Sequence, residues 1–296
     1  MTAHTGVGEG LGPRRIALIN EKGGSAKTTL VASFASYLAL HRGRRVLAID
    51  MDPQGQLGKV LGVETRRSTR SAIDMLLDTV LGERPSDPNA PERSPLPISP
   101  TRTPNLDVIG SNKSLAFLPA LRPESGASET SELRRALDDS AEINTYDFVF
   151  FDAPPSFGAL TLNVLCAADE VVIPVPLTYL AMDGCAELLR TIAEVRSRYG
   201  NPALQISMVV PTFYRRTRMA NEILAKLKSR FPKEIAQSVI GYHVKIDEAQ
   251  SRGLSIFEYA PRDRAARTLA ELTEELELRG RDFAELPRPV REPPTP

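Results

Sequence analysis

Residues 21–29 combine glycines, lysines and threonines in an order that could hold a triphosphate. They read Glu-Lys-Gly-Gly-Ser-Ala-Lys-Thr-Thr, after the apolar run Ile16–Asn20 and before the helix-like segment Leu30–Leu40. Free N–H groups at a helix N-terminus, an ammonium and a hydroxyl can together neutralise a triphosphate and its Mg²⁺. We therefore predict a nucleotide site in which Lys27 reaches the β- and γ-phosphates and the Thr28 hydroxyl ligates Mg²⁺. The alternative is a glycine-rich turn between a strand and a helix, with an incidental lysine.

The segment departs from the common phosphate-binding pattern G-x-x-x-x-G-K-[ST], whose glycine positions fall on Glu21 and Ala26. A run of Lys-Gly-Gly followed two residues later by Lys-Thr-Thr is instead typical of the deviant P-loop, or deviant Walker A motif, with a second lysine near its start. We expect the whole run to bind the nucleotide through Lys22, Gly23, Gly24, Ser25, Ala26, Lys27, Thr28 and Thr29.

Two further segments place carboxylates directly after apolar runs. In the first, Asp50 and Asp52 are two residues apart on an extended stretch and should point to the same side, where a carboxylate could orient a water for attack on the γ-phosphate. The alternative for this pair is a solvated turn at a strand end. In the second, the apolar run Phe148–Phe151 ends in Asp152, a Walker B pattern whose aspartate holds the Mg²⁺ shell.

Apolar runs and helical patterns alternate along the chain and predict the elements that position these groups. The predicted strands are Ile16–Asn20, Arg45–Asp50, Leu106–Gly110, Phe148–Asp152, Glu170–Pro174, Gln205–Val210 and Val239–Val244. The predicted helices are Thr28–His41, Ser71–Leu81, Glu132–Ser140, Leu160–Ala167, Met182–Tyr199, Met219–Arg230 and Asp263–Arg279. Strands that are apolar throughout predict an α/β fold: a doubly wound, mostly parallel sheet with helices on both faces. The three segments that carry the phosphate-binding and carboxylate candidates all follow strands, at the carboxyl edge where such sheets bind ligands.

Length and charge favour one large domain. The 296 residues balance 37 Lys and Arg against 37 Asp and Glu, so any binding to nucleic acid requires a local basic patch. We predict a single domain over residues 15–280, with disordered tails at 1–14 and 281–296 and a proline-rich insertion at 82–104.

The remaining composition excludes several classes of protein. Cys166 and Cys185 lie in apolar helical patterns, where buried thiols are expected, and no secretory signal is visible. No apolar run approaches the roughly 20 residues of a membrane helix. His4, His41 and His243 are too scattered for a metal site. We predict a soluble cytoplasmic protein with no membrane partner.

The segment Tyr214–Lys233 is basic, with seven Lys or Arg residues and one glutamate. At helical spacing its apolar residues form one stripe, and most charges lie opposite. The stripe consists of Ala220, Ile223, Leu224, Leu227 and Phe231. Without a helix-turn-helix pattern or interleaved aromatic residues, contact with phosphates is expected and base recognition is not. The alternative is an ordinary solvated helix face.

Together these motifs resemble the ParA/MinD family of deviant Walker A ATPases, and the ParA (Soj-like) branch fits best. The resemblance runs from about residue 15 to residue 278 and rests on the segments 22–29, 50–55, 151–156, 168–175 and 255–262. It implies an ATP-dependent sandwich homodimer that binds double-stranded DNA non-specifically. It also implies slow hydrolysis of Mg²⁺-bound ATP, stimulated by a ParB-like partner, and movement of DNA or other cargo over the nucleoid.

The resemblance also assigns roles to single residues. It makes Lys22, Lys27 and Asp52 catalytic: Lys22 would cross the dimer interface to the partner's phosphates and Asp52 would assist the attacking water. Gly23 would lie where the two chains meet, and Asp50 would support Asp52. The DNA contacts would come from Arg216, which matches the family's arginine best, with Arg215, Arg218 and Lys245.

One departure from the family pattern is Ala26, where the family usually has glycine. A residue with a Cβ pays about 1–2 kcal/mol in conformations that glycine adopts freely, so affinity and turnover are in doubt more than the fold. A hydrolysis-impaired, nucleotide-dependent scaffold is therefore one alternative.

A MinD-like membrane-associated regulator should end in an amphipathic helix, which the proline-rich residues 287–294 cannot form. A redox protein like the nitrogenase iron protein needs cysteines on both sides of Walker B, and Cys166 has no upstream companion.

Overall fold

The structure is a computed structural model that describes residues 12–64, 70–81, 94–121, 130–178 and 181–284. Its centre is a seven-stranded sheet in the order β3-β4-β2-β5-β1-β6-β7. The strands are β1 (Arg14–Leu18), β2 (Val46–Asp50), β3 (Ser99–Pro100), β4 (Leu106–Ile109), β5 (Phe148–Asp152), β6 (Glu170–Pro176) and β7 (Gln205–Thr212). All neighbouring strands are parallel except β3, which runs antiparallel to β4 at the edge.

Helices cover both faces of the sheet. They are α1 (Lys27–Arg42), α2 (Gln56–Val60), α3 (Ala72–Leu81), α4 (Glu132–Asp138), α5 (Ala159–Ala167), α6 (Ala181–Arg198), α7 (Arg218–Arg230), α8 (Val244–Ser251), α9 (Ile256–Tyr259) and α10 (Arg264–Ala284). In the described ranges, 3-10 helices span Lys113–Leu121 and Ala141–Thr145.

The core divides into two layers because alternate strand residues face opposite sides of the sheet. In β1, Ala17 packs with residues of α3 to α7, whereas Ile16 and Leu18 pack with residues of α1, α8, α9 and α10. Every residue of β2, β5 and β6 is buried. The doubly wound, mostly parallel α/β fold is confirmed. The predicted apolar stripe at α7 is buried except for Leu224, which is partly buried.

Two predictions about edge strands were wrong. Residues 239–244 form no strand. Ile240 exchanges backbone hydrogen bonds with Pro211 and Tyr214, but the pairing is limited to an isolated bridge between Gly241 and Tyr214, and α8 begins at Val244. Pro211 of β7 has no N–H, so this edge cannot support a regular ladder. Conversely, β3 forms inside the predicted insertion 82–104, whose residues 82–93 lie outside the described part.

The first strand and the last helix extend slightly past residues 15 and 280. β1 already begins at Arg14, whose guanidinium forms two 2.8 Å hydrogen bonds with the Glu170 carboxylate on β6. Helix α10 continues to Ala284, beyond the predicted end at residue 280. Residues 1–11 and 285–296, which include the proline-rich end, lie outside the described residues.

Candidate nucleotide-binding site

Three polar segments meet at the carboxyl edge of the sheet, as predicted. The loop before α1 follows β1, which lies between β5 and β6 in the sheet. Asp50 ends β2 and Asp152 ends β5, and both strands are close to β1 in the sheet. The parallel arrangement therefore brings together the phosphate-binding candidates and the carboxylate candidates.

The loop presents the uncapped end of α1. Gly24 and Ala26 both adopt left-handed backbone conformations, with φ of 69° and 77°. Ala26 immediately precedes the helix, no side chain caps its N-terminus, and its first turn contains no acidic residue. The free N–H groups, which are hydrogen-bond donors, and the positive end of the helix dipole can therefore bind an anion.

Lys27 is buried and held by the loop itself. Its Nζ donates to the Asn20 carbonyl at 2.9 Å and to the Lys22 carbonyl at 3.2 Å. Burial lowers the pKa of the Lys27 ammonium, while the charges of Asp152 and Asp52 act in the opposite direction. Since these carboxylates are close enough to act on Lys27, the P-loop and both acidic segments form one electrostatic site.

Thr28 and Asp152 are in direct contact. The Thr28 hydroxyl donates to Asp152 Oδ2 at 2.6 Å, whereas the buried Oδ1 has no hydrogen-bond partner among the described residues. Burial is the main reason that the pKa of Asp152 is raised to about 7. A buried carboxylate oxygen without a partner, next to a threonine hydroxyl, fits the outer shell of Mg²⁺.

The number of acidic groups also fits this ion. No three His, Cys, Asp or Glu side chains in the described ranges form a cluster that could hold a metal on their own. Mg²⁺ commonly keeps several waters and binds through substrate phosphates and one or two protein groups. The site can therefore hold Mg²⁺ together with a nucleotide.

Asp50 and Asp52 have different environments, although the sequence suggested that they face the same side. Asp50 is completely buried, and its oxygens accept hydrogen bonds from the backbone N–H of Asp52 and of Leu57, each at 3.0 Å. Asp52 is half-buried, and its Oδ1 accepts from the Gln54 N–H at 2.9 Å. Asp50 thus shapes the turn that presents Asp52.

The other predicted loop residues line the same edge. Gly23 and Gly24 are exposed and Lys22 is half-buried. The Lys22 ammonium makes no ion pair with a described residue, and the Glu21 carboxylate lies towards Gly184 of α6 instead. The Ser25 carbonyl accepts from the Thr212 hydroxyl at 3.3 Å, and Thr29 Oγ1 accepts from Gln250 Nε2 at 3.0 Å.

Asn20 is a residue that the sequence analysis did not assign to the site. Its Nδ2 donates to the Pro174 carbonyl at 2.6 Å, and its Oδ1 accepts from the Lys22 N–H at 2.8 Å. The Asn20 carbonyl also accepts a hydrogen bond from Lys27 Nζ, so Asn20 contacts both the start of the loop and the lysine at its end. Its position as a polar residue at the end of an apolar run was the only signal available in the sequence.

The predicted basic residues lie on a separate exposed region, which we call the basic surface and define as Arg215, Arg216, Arg218 and Lys245. The chain segments that carry them run side by side at the Tyr214–Gly241 bridge. Arg218 pairs with Glu222 at 2.9 Å and Lys245 with Glu248 at 2.7 Å. Within the described part of the chain, Arg215 and Arg216 have no acidic partner, so they carry the uncompensated charge.

Comparison with known proteins decides the family. A family model described as an AAA domain matches residues 13–206. The chain is 38% identical over 272 residues to the chromosome-partitioning ATPase Soj of Thermus thermophilus, with 90% of this chain and 96% of that protein aligned. The chain belongs to the ParA/MinD family of P-loop ATPases, in its ParA (Soj-like) branch. The chromosome partitioning protein ParA of Caulobacter vibrioides is 34% identical, over 91% of this chain and 96% of that protein.

Solved structures of ParA/MinD-like proteins have the same fold. Cobyrinic acid a,c-diamide synthase from Mycobacterium smegmatis, with bound ADP and magnesium, has a TM-score of 0.71 at 29% identity and covers 94% of this chain and 99% of that one. The septum site-determining protein MinD from Pyrococcus horikoshii, complexed with Mg-ADP, has a TM-score of 0.67, covering 93% and 100% of the two chains. Its identity of 19% supports the fold alone. Among the helices described here, none is long and apolar enough to span a membrane.

Proposed function

We propose that this ParA-family protein is an ATPase that binds Mg²⁺-ATP, forms a homodimer in the ATP state and binds double-stranded DNA non-specifically. The observation that carries the proposal is the uncapped N-terminus of α1, flanked by the buried Lys27 and by the Thr28–Asp152 pair. This arrangement supplies backbone donors, a cation and a metal-binding oxygen at one edge of the sheet, as a triphosphate requires.

Each group has a defined task in this proposal. The N–H groups of residues 24–29 and the Lys27 ammonium bind the β- and γ-phosphates. Thr28 would ligate Mg²⁺ directly and Asp152 would hold its water shell; the ion, when bound, withdraws charge from the phosphate oxygens. Asp52 is half-buried on a turn fixed by Asp50, so its free carboxylate oxygen can orient a water toward the γ-phosphate.

Dimerisation would use the second lysine. Lys22 lies at the exposed side of the loop beside two glycines, without an acidic partner among the described residues. An ammonium in this position can contact phosphates bound to a second copy of the chain, with Gly23 allowing the two backbones to approach closely. The role of Lys22 follows the family pattern, and its geometry here is consistent with that role.

DNA binding would use the basic surface. Arg215 and Arg216 are exposed and uncompensated among the described residues, whereas Arg218 and Lys245 would exchange their glutamates for phosphates. One subunit offers few phosphate contacts, so firm binding requires two subunits. The chromosome-partitioning relatives favour the nucleoid as the location and a ParB-like protein as the activator.

Two substitutions test the nucleotide site. Lys27→Ala removes the cation at the phosphates and should abolish binding of a fluorescent ATP analogue. Asp52→Ala leaves the phosphate-binding groups intact, so it should bind the analogue with near wild-type affinity but release phosphate far more slowly. Equal phosphate release by Asp52→Ala and wild type would remove Asp52 from catalysis, and unchanged nucleotide binding by Lys27→Ala would refute the site itself.

A second candidate function is a nucleotide-dependent scaffold with little turnover. The observation that favours it is the φ of 77° at Ala26, in a conformation that favours glycine. Both candidates require nucleotide-dependent dimers. Single-turnover phosphate release with the DNA and partner present distinguishes them, because only the ATPase converts its bound ATP.

A further inference from the structure

We infer that Thr212 and Gln250 are positioning residues that couple the P-loop to the two halves of the basic surface. Each connects a different part of the nucleotide site to a different chain segment carrying DNA-contact candidates. The inference rests on the proposed DNA binding and adds how the nucleotide would control it within one subunit.

The first connection runs through the end of β7. Thr212 is completely buried, and its hydroxyl donates to the Ser25 carbonyl in the P-loop at 3.3 Å. Phe213 follows with a left-handed φ of 54°, so the chain turns sharply before Arg215 and Arg216. The position of the Ser25 peptide is thereby linked to the start of the segment that carries the uncompensated arginines.

The second connection runs through α8. Gln250 Nε2 donates to the hydroxyl of Thr29, in the first turn of α1, at 3.0 Å. Lys245 lies on the same short helix, five residues earlier, about 7.5 Å along the axis. Because a helix of two turns moves as a unit, a change at Thr29 would reach Lys245 through Gln250.

A third contact fixes the far end of α8 against the acidic turn. A Cβ on Gly253, just after α8, would lie 2.5 Å from the Gly62 Cα, just after α2. This close backbone packing joins α8 to the short helix whose first turn donates to Asp50. The C-terminal end of α8 therefore contacts both α1, through Gln250, and the chain after α2, through Gly253. Lys245 lies at the other end of the same helix.

Nucleotide binding should act through these contacts. Phosphates bound at the P-loop restrict the Ser25 peptide and the first turn of α1, and the two hydrogen bonds extend this restriction to the basic surface. Linkage is reciprocal, so DNA should raise nucleotide affinity by the same factor by which nucleotide raises DNA affinity. A single hydrogen bond is typically worth about a factor of five in an equilibrium constant.

The test uses two variants that keep shape and remove one hydrogen bond each. Thr212→Val is nearly isosteric, and Gln250→Met preserves side-chain length. Gln237→Met, at an exposed glutamine near α10, is the matched control. For each protein, the affinity for a 30-base-pair duplex is measured with a non-hydrolysable ATP analogue and with ADP, together with analogue affinity and dimer mass by light scattering.

We expect each variant to retain analogue affinity and dimer mass, and to lose about five-fold in the ratio of DNA affinities between the two nucleotides. The reciprocal quantity is the factor by which DNA raises the ratio of analogue affinity to ADP affinity, and it should fall by the same amount. The control should match wild type in every measurement. A purely structural role would instead reduce stability and leave this ratio unchanged.

The outcomes separate the inference from the proposed function. If wild type binds DNA equally in both nucleotide states, ATP-controlled DNA binding fails, and the inference fails with it. If wild type shows the difference and both variants retain it, the inference alone is wrong. Loss of analogue binding or of the dimer in a variant would place that residue in nucleotide binding or assembly and would likewise overturn the inference.

Discussion

Asp50 and Asp152 occupy the same register position at the carboxyl ends of the adjacent strands β2 and β5. The Met51 N–H donates to the Asp152 carbonyl at 2.9 Å, which fixes the two strand ends together. Burial raises the pKa of both carboxyls, and the charge of Asp152 raises that of Asp50 further. The protein thus keeps two carboxyls in an unfavourable environment at the edge where its ligand would bind.

This arrangement predicts a pH-dependent gain in stability for Asp152→Asn in the nucleotide-free protein. The pKa of Asp152 is about 7 when folded and near the usual aspartate value when unfolded. Between these values the folded state binds more protons, so this group's contribution to stability falls as pH rises and is lost above about pH 7. Asparagine cannot ionise, and its Oδ1 can still accept from Thr28.

Urea titrations at pH 4, pH 5.5 and pH 8 would measure the effect. The two proteins should have similar free energies of unfolding at pH 4, the variant should already be somewhat more stable at pH 5.5, and its advantage should be largest at pH 8. Mg²⁺-ATP should stabilise wild type at pH 8 more than the variant. Asp247→Asn, on the exposed side of α8, is the control. A variant less stable than wild type at pH 8 would show that ionised Asp152 is well compensated without ligand.

The sequence could predict much of the site because its chemistry is local. Residues 22–29 lie together in one loop and the first turn of α1, and Asp152 ends an apolar strand, so a parallel sheet alone brings them to one edge. The same reasoning identified the strands β2, β4 and β5 to within a residue or two, since their apolar runs are continuous.

Contacts between distant segments were not predictable in this way. Thr212 and Gln250 are 187 and 221 residues from their partners in the P-loop region, and nothing in their local sequence marks them. The predictions of the edge strands were wrong for a related reason. Whether residues 239–244 or 99–100 pair with a neighbour depends on the free edge that packing leaves open, and periodicity does not contain that information.

Ala26→Gly should stabilise the protein. The φ of 77° costs a residue with a Cβ about 1–2 kcal/mol, which the greater unfolded-state entropy of glycine offsets only in part. We expect a net gain of about 1 kcal/mol in urea unfolding, with tighter ATP binding and faster turnover. Ala39→Gly, inside α1, should lose about 1 kcal/mol in the same assay. Equal losses for both variants would mean that the left-handed conformation at Ala26 carries no strain.

Lys22→Ala should separate nucleotide binding from dimerisation. The Lys22 carbonyl, not its side chain, contacts Lys27, so truncation leaves the P-loop contacts in place. With a non-hydrolysable ATP analogue, light scattering should give dimers for wild type and monomers for Lys22→Ala, at similar analogue affinity. Lys228→Ala, on the exposed face of α7, should dimerise normally. A stable Lys22→Ala dimer would indicate a P-loop that works within one chain.

Arg216→Ala should weaken DNA binding alike on unrelated sequences. A dimer that aligns two basic surfaces would neutralise about six phosphates, so log K should fall with log salt with a slope of roughly −5. Removing Arg216 from both subunits should flatten that slope by about two. Arg218→Ala should have a smaller effect, because Arg218 already pairs with Glu222 at 2.9 Å. Filter-binding titrations at several salt concentrations provide both slopes.

The location of the basic surface allows a sharp control for this prediction. Arg230 lies at the other end of α7 and is also exposed, so Arg230→Ala removes the same charge from the same helix. The salt-dependence slope of the Arg230→Ala variant should stay close to that of wild type if contact with DNA is confined to Arg215, Arg216, Arg218 and Lys245. Equal flattening by both variants would mean that overall charge, and not this surface, attracts DNA. No change with Arg216→Ala would leave the segment as ordinary solvated surface.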